Sequence, residues 1–466
     1  MKQPNIILIS IDTLRADHLS CYGYKLPVTP NLDRLASEGA LFKNAYSTAV
    51  WTPPAHASML TGLYPCQHGV VHQNKLRSDI PTIAEHLQST GYHTAGFVNN
   101  SQVGDLVGLN RGHDDFYEVW QVLSKDQIFK RVEHKARQLA GSSDHGASET
   151  NKLIIRWLTE GWNQEKPFYL FIHYIDAHNP LKAPRPFRYK YLTKNLRTQV
   201  DMAKIRKVAD NPLVCFTDDF ELSEAEIRAL TCLYDEEINY LDYKVGELVD
   251  SLKKMNLLDE SLLILTADHG EHLGEHGMYS HVASLYEPIV HIPLILRYPA
   301  AVKPETVSRQ PVQHIDIFPT ILESTNLDKR NGVTNTGRSL FESLQKNAAS
   351  RILFAEWEGR IPHFVRDRLN NKNREKIKQQ FTNKLWMSRT ADFKLIADSR
   401  DQFELFNTKD DPDETINLCR KESTIFNKLR TALENWRDST TRAQTSVSYD
   451  YSEETLKKHL KALGYL

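Results

Sequence analysis

Three short aliphatic runs, each closed by acidic or histidine side chains, constrain the fold of this chain more than any other feature. Asp12, Asp176 and Asp268 come at or just after their ends. Such runs are typical of buried parallel strands, and open α/β sheets place their sites at the carboxyl ends of those strands. We therefore expect the polar residues to meet in one site. The runs are residues 6–11, 168–175 and 262–266.

Segments with helical periodicity alternate with these strands, and Ser223 is a good N-cap for the longest one. The alternation predicts an α/β fold with a doubly wound, largely parallel sheet flanked by helices. The predicted helices are residues 30–39, 53–61, 80–91, 149–160 and 223–254.

The pattern changes after about residue 345 to short strands followed by helices, which predicts a smaller C-terminal α+β subdomain. We therefore divide the chain into a main domain, 1–345, and a C-terminal subdomain, 346–466. Residues 181–222, rich in basic residues and proline, resemble an insertion that could form a lid or specificity loop. The predicted C-terminal elements are strands at 351–356, 386–388, 393–397 and 403–406 and helices near 424–438 and 452–463.

Charge and cysteine content narrow the class of partner and the compartment. The chain has 58 Lys and Arg against 59 Asp and Glu, so it has no basic field of the kind that holds nucleic acid. Its cysteines are odd in number and lack paired spacing, which argues against a disulfide framework. No apolar run approaches the length of a membrane span. We therefore expect a cytoplasmic protein. The cysteines are Cys21, Cys66, Cys215, Cys232 and Cys419.

The segment from Val50 to Gly62 carries the clearest chemical signal. Pro53 suits the first turn of a helix, where its missing N–H would be unpaired, and this places Thr52 at the helix N-terminus. Exposed N–H groups and the positive end of the helix dipole stabilise an alkoxide or an incoming oxyanion there. Thr52 could equally be a plain helix cap.

The same segment resembles the signature of the sulfatases in the alkaline phosphatase superfamily. In that register Thr52 occupies the nucleophile position, Pro54 the family proline, Ala55 the family serine and His56 the family arginine. Sulfatases oxidise a cysteine or serine to formylglycine, and threonine cannot give that aldehyde. Thr52 would attack directly, similar to the threonine nucleophiles of nucleotide pyrophosphatase/phosphodiesterases and lipoteichoic acid synthases. Residues 4–17, 22–24, 29–36, 39–44, 266–277, 285–295, 314–320, 404–412 and 417–418 also follow the family order. The resemblance implies the alkaline-phosphatase-like form of the predicted α/β fold and makes residues 1–345 the catalytic domain.

The resemblance implies a site for one divalent metal ion. The ligands it implies are Asp12, Asp268 and His269, with the Thr52 oxygen completing the set. Where many sulfatases have a second aspartate this chain has Thr13, which weakens the case for calcium relative to zinc or manganese. Any of the three ions remains open.

The resemblance also implies a set of catalytic and substrate-binding residues. His178 matches a family histidine that faces the ester, while Asn99 and His281 stand where the family has lysines. We expect Asn99, His178 and His281 to bind substrate, and the two histidines to polarise the oxyanion or protonate the leaving group. His56 would orient or deprotonate Thr52. Two-zinc relatives further allow a second metal at Asp176, His178 and His281.

These residues predict a metal-dependent hydrolase of sulfuric or phosphoric esters that acts on a small anionic substrate. A two-metal phosphodiesterase or phosphonate monoester hydrolase is one alternative. A soluble transferase of a phospho-alcohol is another, and a non-catalytic binding protein that has kept the fold is a third. Whether the protein forms a homo-oligomer is left open.

Overall fold

A computed structural model describes residues 3–71, 74–121, 144–217, 221–326, 335–345, 347–361 and 374–440. It confirms the predicted α/β fold with a separate small antiparallel sheet. Within the described residues the strands are β1 (Asn5–Ile11), β2 (Ala40–Phe42), β3 (Ala45–Tyr46), β4 (His93–Val98), β5 (Asp115–Glu118), β6 (Phe168–Tyr174), β7 (Ser261–Ala267), β8 (His272–Leu273), β9 (Tyr279–Ser280), β10 (Leu294–Arg297), β11 (Thr306–Ser308), β12 (Val312–Gln313), β13 (Leu353–Trp357), β14 (Leu385–Arg389), β15 (Phe393–Asp398) and β16 (Phe403–Asn407).

The central sheet has eight strands in the order β11-β2-β10-β7-β1-β6-β4-β5. Its strands are parallel except β10, which runs antiparallel to both neighbours. In the parallel register of the three central strands, Ile11 pairs with Ala267 on one side and Tyr174 on the other. The residues that follow these strand ends therefore meet at one edge, as the sequence predicts.

Helices cover the sheet, and the longest one begins at the predicted cap. The Ser223 hydroxyl accepts a hydrogen bond from the Glu226 N–H and so starts that helix. The described α-helices are α1 (Pro30–Ser37), α2 (Thr52–Thr61), α3 (Pro65–His68), α4 (Ile83–Ser89), α5 (Ala147–Arg156), α6 (Lys194–Thr198), α7 (Met202–Asp210), α8 (Val214–Thr217), α9 (Glu224–Lys254), α10 (Glu287–Val290), α11 (Ile317–Ser324), α12 (Leu340–Ser343), α13 (Arg374–Thr382) and α14 (Ser423–Ser439).

The C-terminal region forms a four-stranded antiparallel sheet, β13-β14-β15-β16, against which α14 packs. It joins the catalytic domain through β13, where Glu356 donates its N–H to the Thr48 carbonyl at 3.1 Å. The division at residues 345 and 346 stays our proposal. The helix predicted near 452–463 lies outside the described residues.

The insertion at 181–222 contains helices α6, α7 and α8 in its described part. Its Phe216 packs edge-on against Phe381 of the C-terminal subdomain, with 5.3 Å between ring centroids. A lid or specificity role for the insertion stays a prediction.

The described residues include no helix long and apolar enough to cross a bilayer.

Candidate active site

Helix α2 presents Thr52 at its first position. Trp51 before it is extended, with φ −153° and ψ 164°, and the two prolines of the first turn lack the N–H groups that a helix start leaves unpaired. The helix ends at Gly62, whose φ of 70° favours glycine. Thr52 is 5% exposed, so its hydroxyl lies in a nearly closed site.

A cluster of metal-ligating side chains lies beside the start of this helix. One ligand atom from each of Asp12, Asp268 and His269 lies within 4.8 Å of the others, and all three residues are fully buried. It is the only such group of three or more among the described residues. The strand ends of β1 and β7 therefore bring together the ligands that the sequence predicts.

The hydrogen bonds of the cluster leave lone pairs for a cation. Oδ1 of Asp268 accepts the backbone N–H groups of Thr13 and His269, while Oδ2 of Asp268 and Oδ1 of Asp12 are buried without a hydrogen bond. Nδ1 of His269 lies 3.0 Å from the Gly270 carbonyl, which can only accept, so Nδ1 carries the proton and Nε2 keeps its lone pair. These unsatisfied atoms fit a divalent cation.

The pKa shifts of Asp268 and His269 are also those expected of residues that bind a cation. Burial and the neighbouring Asp12 carboxylate raise the pKa of Asp268 well above its ordinary range. Burial and the charge of His281 lower the pKa of His269, which keeps its ring neutral, as a metal ligand requires. A cation between the two carboxylates would offset their repulsion.

The predicted nucleophile lies against this cluster. The Thr52 Oγ1 is 3.5 Å from Nε2 of His269, and the two side chains are both buried. Thr52, Asp12, Asp268 and His269 are thus gathered at one point from three separate segments of the chain.

His56, four residues into α2, is held by its own helix. Its Nδ1 lies 2.8 Å from the Thr52 carbonyl and its Nε2 2.9 Å from the Ser10 hydroxyl. Burial lowers the pKa of His56 to about 3, so the ring is neutral, with Nδ1 as donor and Nε2 as acceptor. These contacts suit orienting Thr52 through its backbone. The described contacts include none between the His56 ring and the Thr52 hydroxyl.

Two residues that the sequence analysis did not single out contact the Asp12 carboxylate. The Asn100 amide donates to Oδ2 of Asp12 at 3.0 Å, and Nε2 of His173 lies 3.5 Å from the same oxygen. The Asn99 amide donates to the carbonyl of His145. A substrate-binding role for Asn99 stays a prediction.

His178 and His281 lie together beside the metal-ligand cluster. Their ring centroids are 5.3 Å apart, and the His281 ring stacks on His269 at 4.6 Å. Nδ1 of His281 is 3.0 Å from a carboxylate oxygen of Glu271. Burial alone would lower the pKa of His281, but the Glu271 carboxylate raises it above its ordinary value. Burial and the charge of His281 lower the pKa of His178.

The trio predicted for a second metal is not assembled. Oδ1 of Asp176 accepts the backbone N–H of His145 at 3.3 Å, and burial together with Asp144 raises the pKa of Asp176. Asp176 therefore belongs to a different set of neighbours from His178 and His281, and no metal-ligating group among the described residues includes it. The chain turns between Asp176 and His178, where the His178 N–H bonds to the Ile175 carbonyl, so the alternation of an extended strand does not apply.

Comparisons with known proteins agree with this fold. Residues 4–327 match the sulfatase family, and residues 274–439 match the C-terminal region of N-sulphoglucosamine sulphohydrolases. A sulfatase of Formosa agariphila is 26% identical over 76% of this chain and 75% of its own length. A choline-sulfatase of Rhizobium meliloti is 26% identical over 69% of this chain and 67% of its own.

A solved structure gives the same result for the fold. The phosphonate monoester hydrolase of Agrobacterium radiobacter superposes with a TM-score of 0.73 at 21% identity, covering 97% of this chain and 99% of that one. Fold, site and relatives together define an ester-hydrolysing enzyme of the alkaline phosphatase superfamily. Within that class, the chain belongs to the sulfatase family.

Proposed function

We propose that the protein hydrolyses sulfuric or phosphoric esters with Thr52 as a direct nucleophile at a single divalent metal site. One observation carries the proposal: the Thr52 hydroxyl, at a helix N-terminus, lies 3.5 Å from Nε2 of His269 in the buried metal-ligand cluster. Threonine cannot be converted to formylglycine. The unmodified hydroxyl is therefore the group that attacks.

The reaction proceeds in two displacements. Thr52 Oγ1 forms a bond to the sulfur or phosphorus and loses its proton to solvent, while the bond to the leaving alcohol breaks and His281 protonates the departing oxygen. Water then attacks the threonine ester and gives a proton to His281, and sulfate or phosphate is released as Thr52 regains its proton from solvent. The N–H groups at the start of α2 stabilise the charge that develops on the transferred group.

The metal ligands are Asp12, Asp268 and His269 with the Thr52 oxygen. A bound divalent ion would lower the pKa of the attacking hydroxyl and neutralise charge on the ester. Asn100 and His173 hold the Asp12 carboxylate in position by their contacts with it. The ligand set of two carboxylates, one imidazole and one hydroxyl suits zinc or manganese, and calcium stays open.

His281 and His178 have different tasks in this proposal. His281, whose pKa is raised by Glu271, holds a proton that it donates to the leaving oxygen. Because its pKa is raised, His281 can act as a cationic proton donor at the position where the family has a lysine. His178, whose pKa is lowered, acts as a neutral hydrogen-bonding group toward the ester oxygens.

We also propose that the protein works in a reducing, cytoplasmic compartment. Three of the five cysteines, Cys21, Cys232 and Cys419, are free thiols. Thiols that stay unpaired are typical of such compartments.

The test of the proposed function is the Thr52→Val variant, screened with aryl sulfate, aryl phosphate, phosphodiester and phosphonate esters. Valine keeps the branched shape and removes the hydroxyl. Wild type should turn over at least one of these ester classes, and the variant should lose that activity while retaining its fold by circular dichroism. Near-wild-type turnover by Thr52→Val would reject Thr52 as the nucleophile.

A further inference from the structure

The backbone takes an unusual conformation just after Asp12, the first metal ligand. Asp12 itself still follows the sheet, because its N–H donates to the Tyr174 carbonyl at 2.9 Å. The next residue, Thr13, has φ +56°, in the left-handed region. A β-branched side chain is strongly disfavoured there, because it crowds the backbone. Thr13 is fully buried, and the groups around it must hold it in this conformation.

The conformation of Thr13 brings its N–H to the second metal-ligating carboxylate. This N–H donates to Oδ1 of Asp268 at 3.1 Å, and the N–H of His269 donates to the same oxygen at 2.8 Å. Oδ2 of Asp268 is buried and has no hydrogen bond among the described residues. The Thr13 N–H therefore helps to decide which oxygen of Asp268 is left to bind a cation.

Tyr234, on helix α9, holds the carbonyl side of the same residue. Its hydroxyl donates to the Thr13 carbonyl at 2.6 Å and accepts the Arg15 N–H at 3.0 Å. Burial raises the pKa of Tyr234 well above its ordinary value, so the hydroxyl keeps the proton that it donates. One phenol oxygen thus bridges residues 13 and 15, directly after the strand that carries Asp12.

The Tyr234 ring is itself fixed in place. It is fully buried, and it meets the His18 ring edge-on with 5.0 Å between centroids. Nδ1 of His18 lies 2.7 Å from the carboxylate of Asp235, which anchors the histidine to α9. The Tyr234 hydroxyl therefore keeps its position and opposes the return of Thr13 to a negative φ.

We propose that Tyr234 is a positioning residue for the metal site: its hydroxyl holds Thr13 in the left-handed conformation, and the Thr13 N–H thereby orients Asp268 toward the cation. The inference rests on the proposed function, because it assumes that a divalent ion binds at Asp12, Asp268 and His269. It adds α9, a helix that supplies no metal ligand, to the elements that determine metal affinity.

The experiment measures metal affinity rather than turnover. Wild type, Tyr234→Phe and Tyr92→Phe are titrated with Zn²⁺ and with Mn²⁺ in competition with a chelator, and circular dichroism checks each fold. Tyr92→Phe is the matched control, because Tyr92 is also buried and its hydroxyl also donates to a backbone carbonyl, that of Pro4, at 3.0 Å. Pro4 precedes β1, so this bond lies at the opposite end of the strand from Thr13.

Tyr234→Phe should weaken metal binding about tenfold or more, the loss typical of groups that orient metal ligands, whereas Tyr92→Phe should bind like wild type. The loss should be smaller in a Thr13→Gly background, because glycine adopts positive φ without strain and needs no tyrosine to hold it. The inference is wrong if Tyr234→Phe binds as tightly as wild type, if Tyr92→Phe loses as much, or if the Thr13→Gly background leaves the loss undiminished.

Asp268→Ala, titrated in parallel, tests the metal site separately. This variant should lose the ion. If it binds the ion like wild type, the proposed metal site fails, and the inference fails with it. If Asp268→Ala loses the ion while Tyr234→Phe keeps full affinity, the metal site stands and only the role of Tyr234 is rejected.

Discussion

The Thr52 hydroxyl and Nε2 of His269 are 3.5 Å apart, although 217 positions separate them along the chain. Helix α2 supplies the first group and the end of β7 supplies the second. Both are buried, so a charge that forms on the hydroxyl depends on nearby groups rather than on water. This relationship joins nucleophile and metal-ligand cluster in one mechanism.

The first prediction concerns metal binding. Protein purified without added metal should contain about one equivalent of a divalent ion, because Asp12, Asp268 and His269 offer one set of converging lone pairs. Asp268→Ala and His269→Ala should each lose the ion, as measured by elemental analysis. His276→Ala, in the same histidine-rich loop but exposed, should keep it. Retention of both metal and activity by the two ligand variants would contradict the assignment.

The second prediction concerns the ester class. Phosphate monoesters or diesters should be turned over at least as well as sulfate esters, although the family is named for sulfatases. The reasons are the unmodified Thr52 nucleophile and the presence of Asn99 and His281 where the family has lysines. Values of kcat/KM across a panel of aryl esters test it. A marked preference for aryl sulfate over every phosphoester would show that this reasoning is wrong.

The third prediction concerns Gly359, two residues after β13. Gly359→Ala should lower stability by about 1 kcal/mol or more, because alanine is unfavourable at positive φ and its Cβ meets the Thr382 carbonyl. Gly91→Ala is the control, since Gly91 has φ +97° but nothing within 4 Å of an added Cβ. Chemical denaturation measures both variants, and an equal loss of stability would show that the Thr382 contact adds nothing.

The fourth prediction concerns acid stability. The Val70 N–H donates to Nδ1 of His68, and Nε2 of His68 is 3.1 Å from the Ser58 hydroxyl, so protonation of Nδ1 would break a buried hydrogen bond. Burial lowers the pKa of His68 to about 3, against 6.5 in the unfolded chain. The unfolded state therefore binds one more proton in this window, and stability falls as pH falls from about 6.5 to about 3.

His68→Asn keeps an acceptor in place of Nδ1 but does not titrate there. Within the window, the free energy of unfolding of wild type should fall with falling pH more steeply than that of the variant. The difference in slope should be about 1.4 kcal/mol per pH unit. Denaturation curves at several pH values measure this, and at pH 8 the two proteins should show the same pH dependence. An unchanged slope in the variant would rule out His68 as the titrating group.

Much of the fold and of the cluster is predictable from the sequence, because both depend on local patterns. The apolar runs before Asp12 and Asp268 define parallel strands, and parallel strands bring their ends to one edge. The two prolines after Thr52 define a helix start. Each of these signals is contained in a few consecutive residues.

The remaining features depend on contacts between distant segments. The contact of the Asn100 amide with Asp12 joins residues 88 positions apart, and nothing local in the sequence indicates it. His173 lies inside a wholly buried strand. A histidine in such a strand indicates a polar contact in the interior, but it belongs to no motif in the sequence.

The central claim, that Thr52 itself carries the covalent step, is tested most directly by intact mass spectrometry of a quenched reaction followed by peptide mapping. Wild type should show the mass of one phosphoryl or sulfuryl group on the peptide that contains Thr52, without oxidation of that residue. Thr52→Val should show no adduct and should lose several orders of magnitude in kcat, and Thr52→Ser should retain part of the activity. Near-wild-type turnover by Thr52→Val, or an adduct on a different residue, would contradict the mechanism.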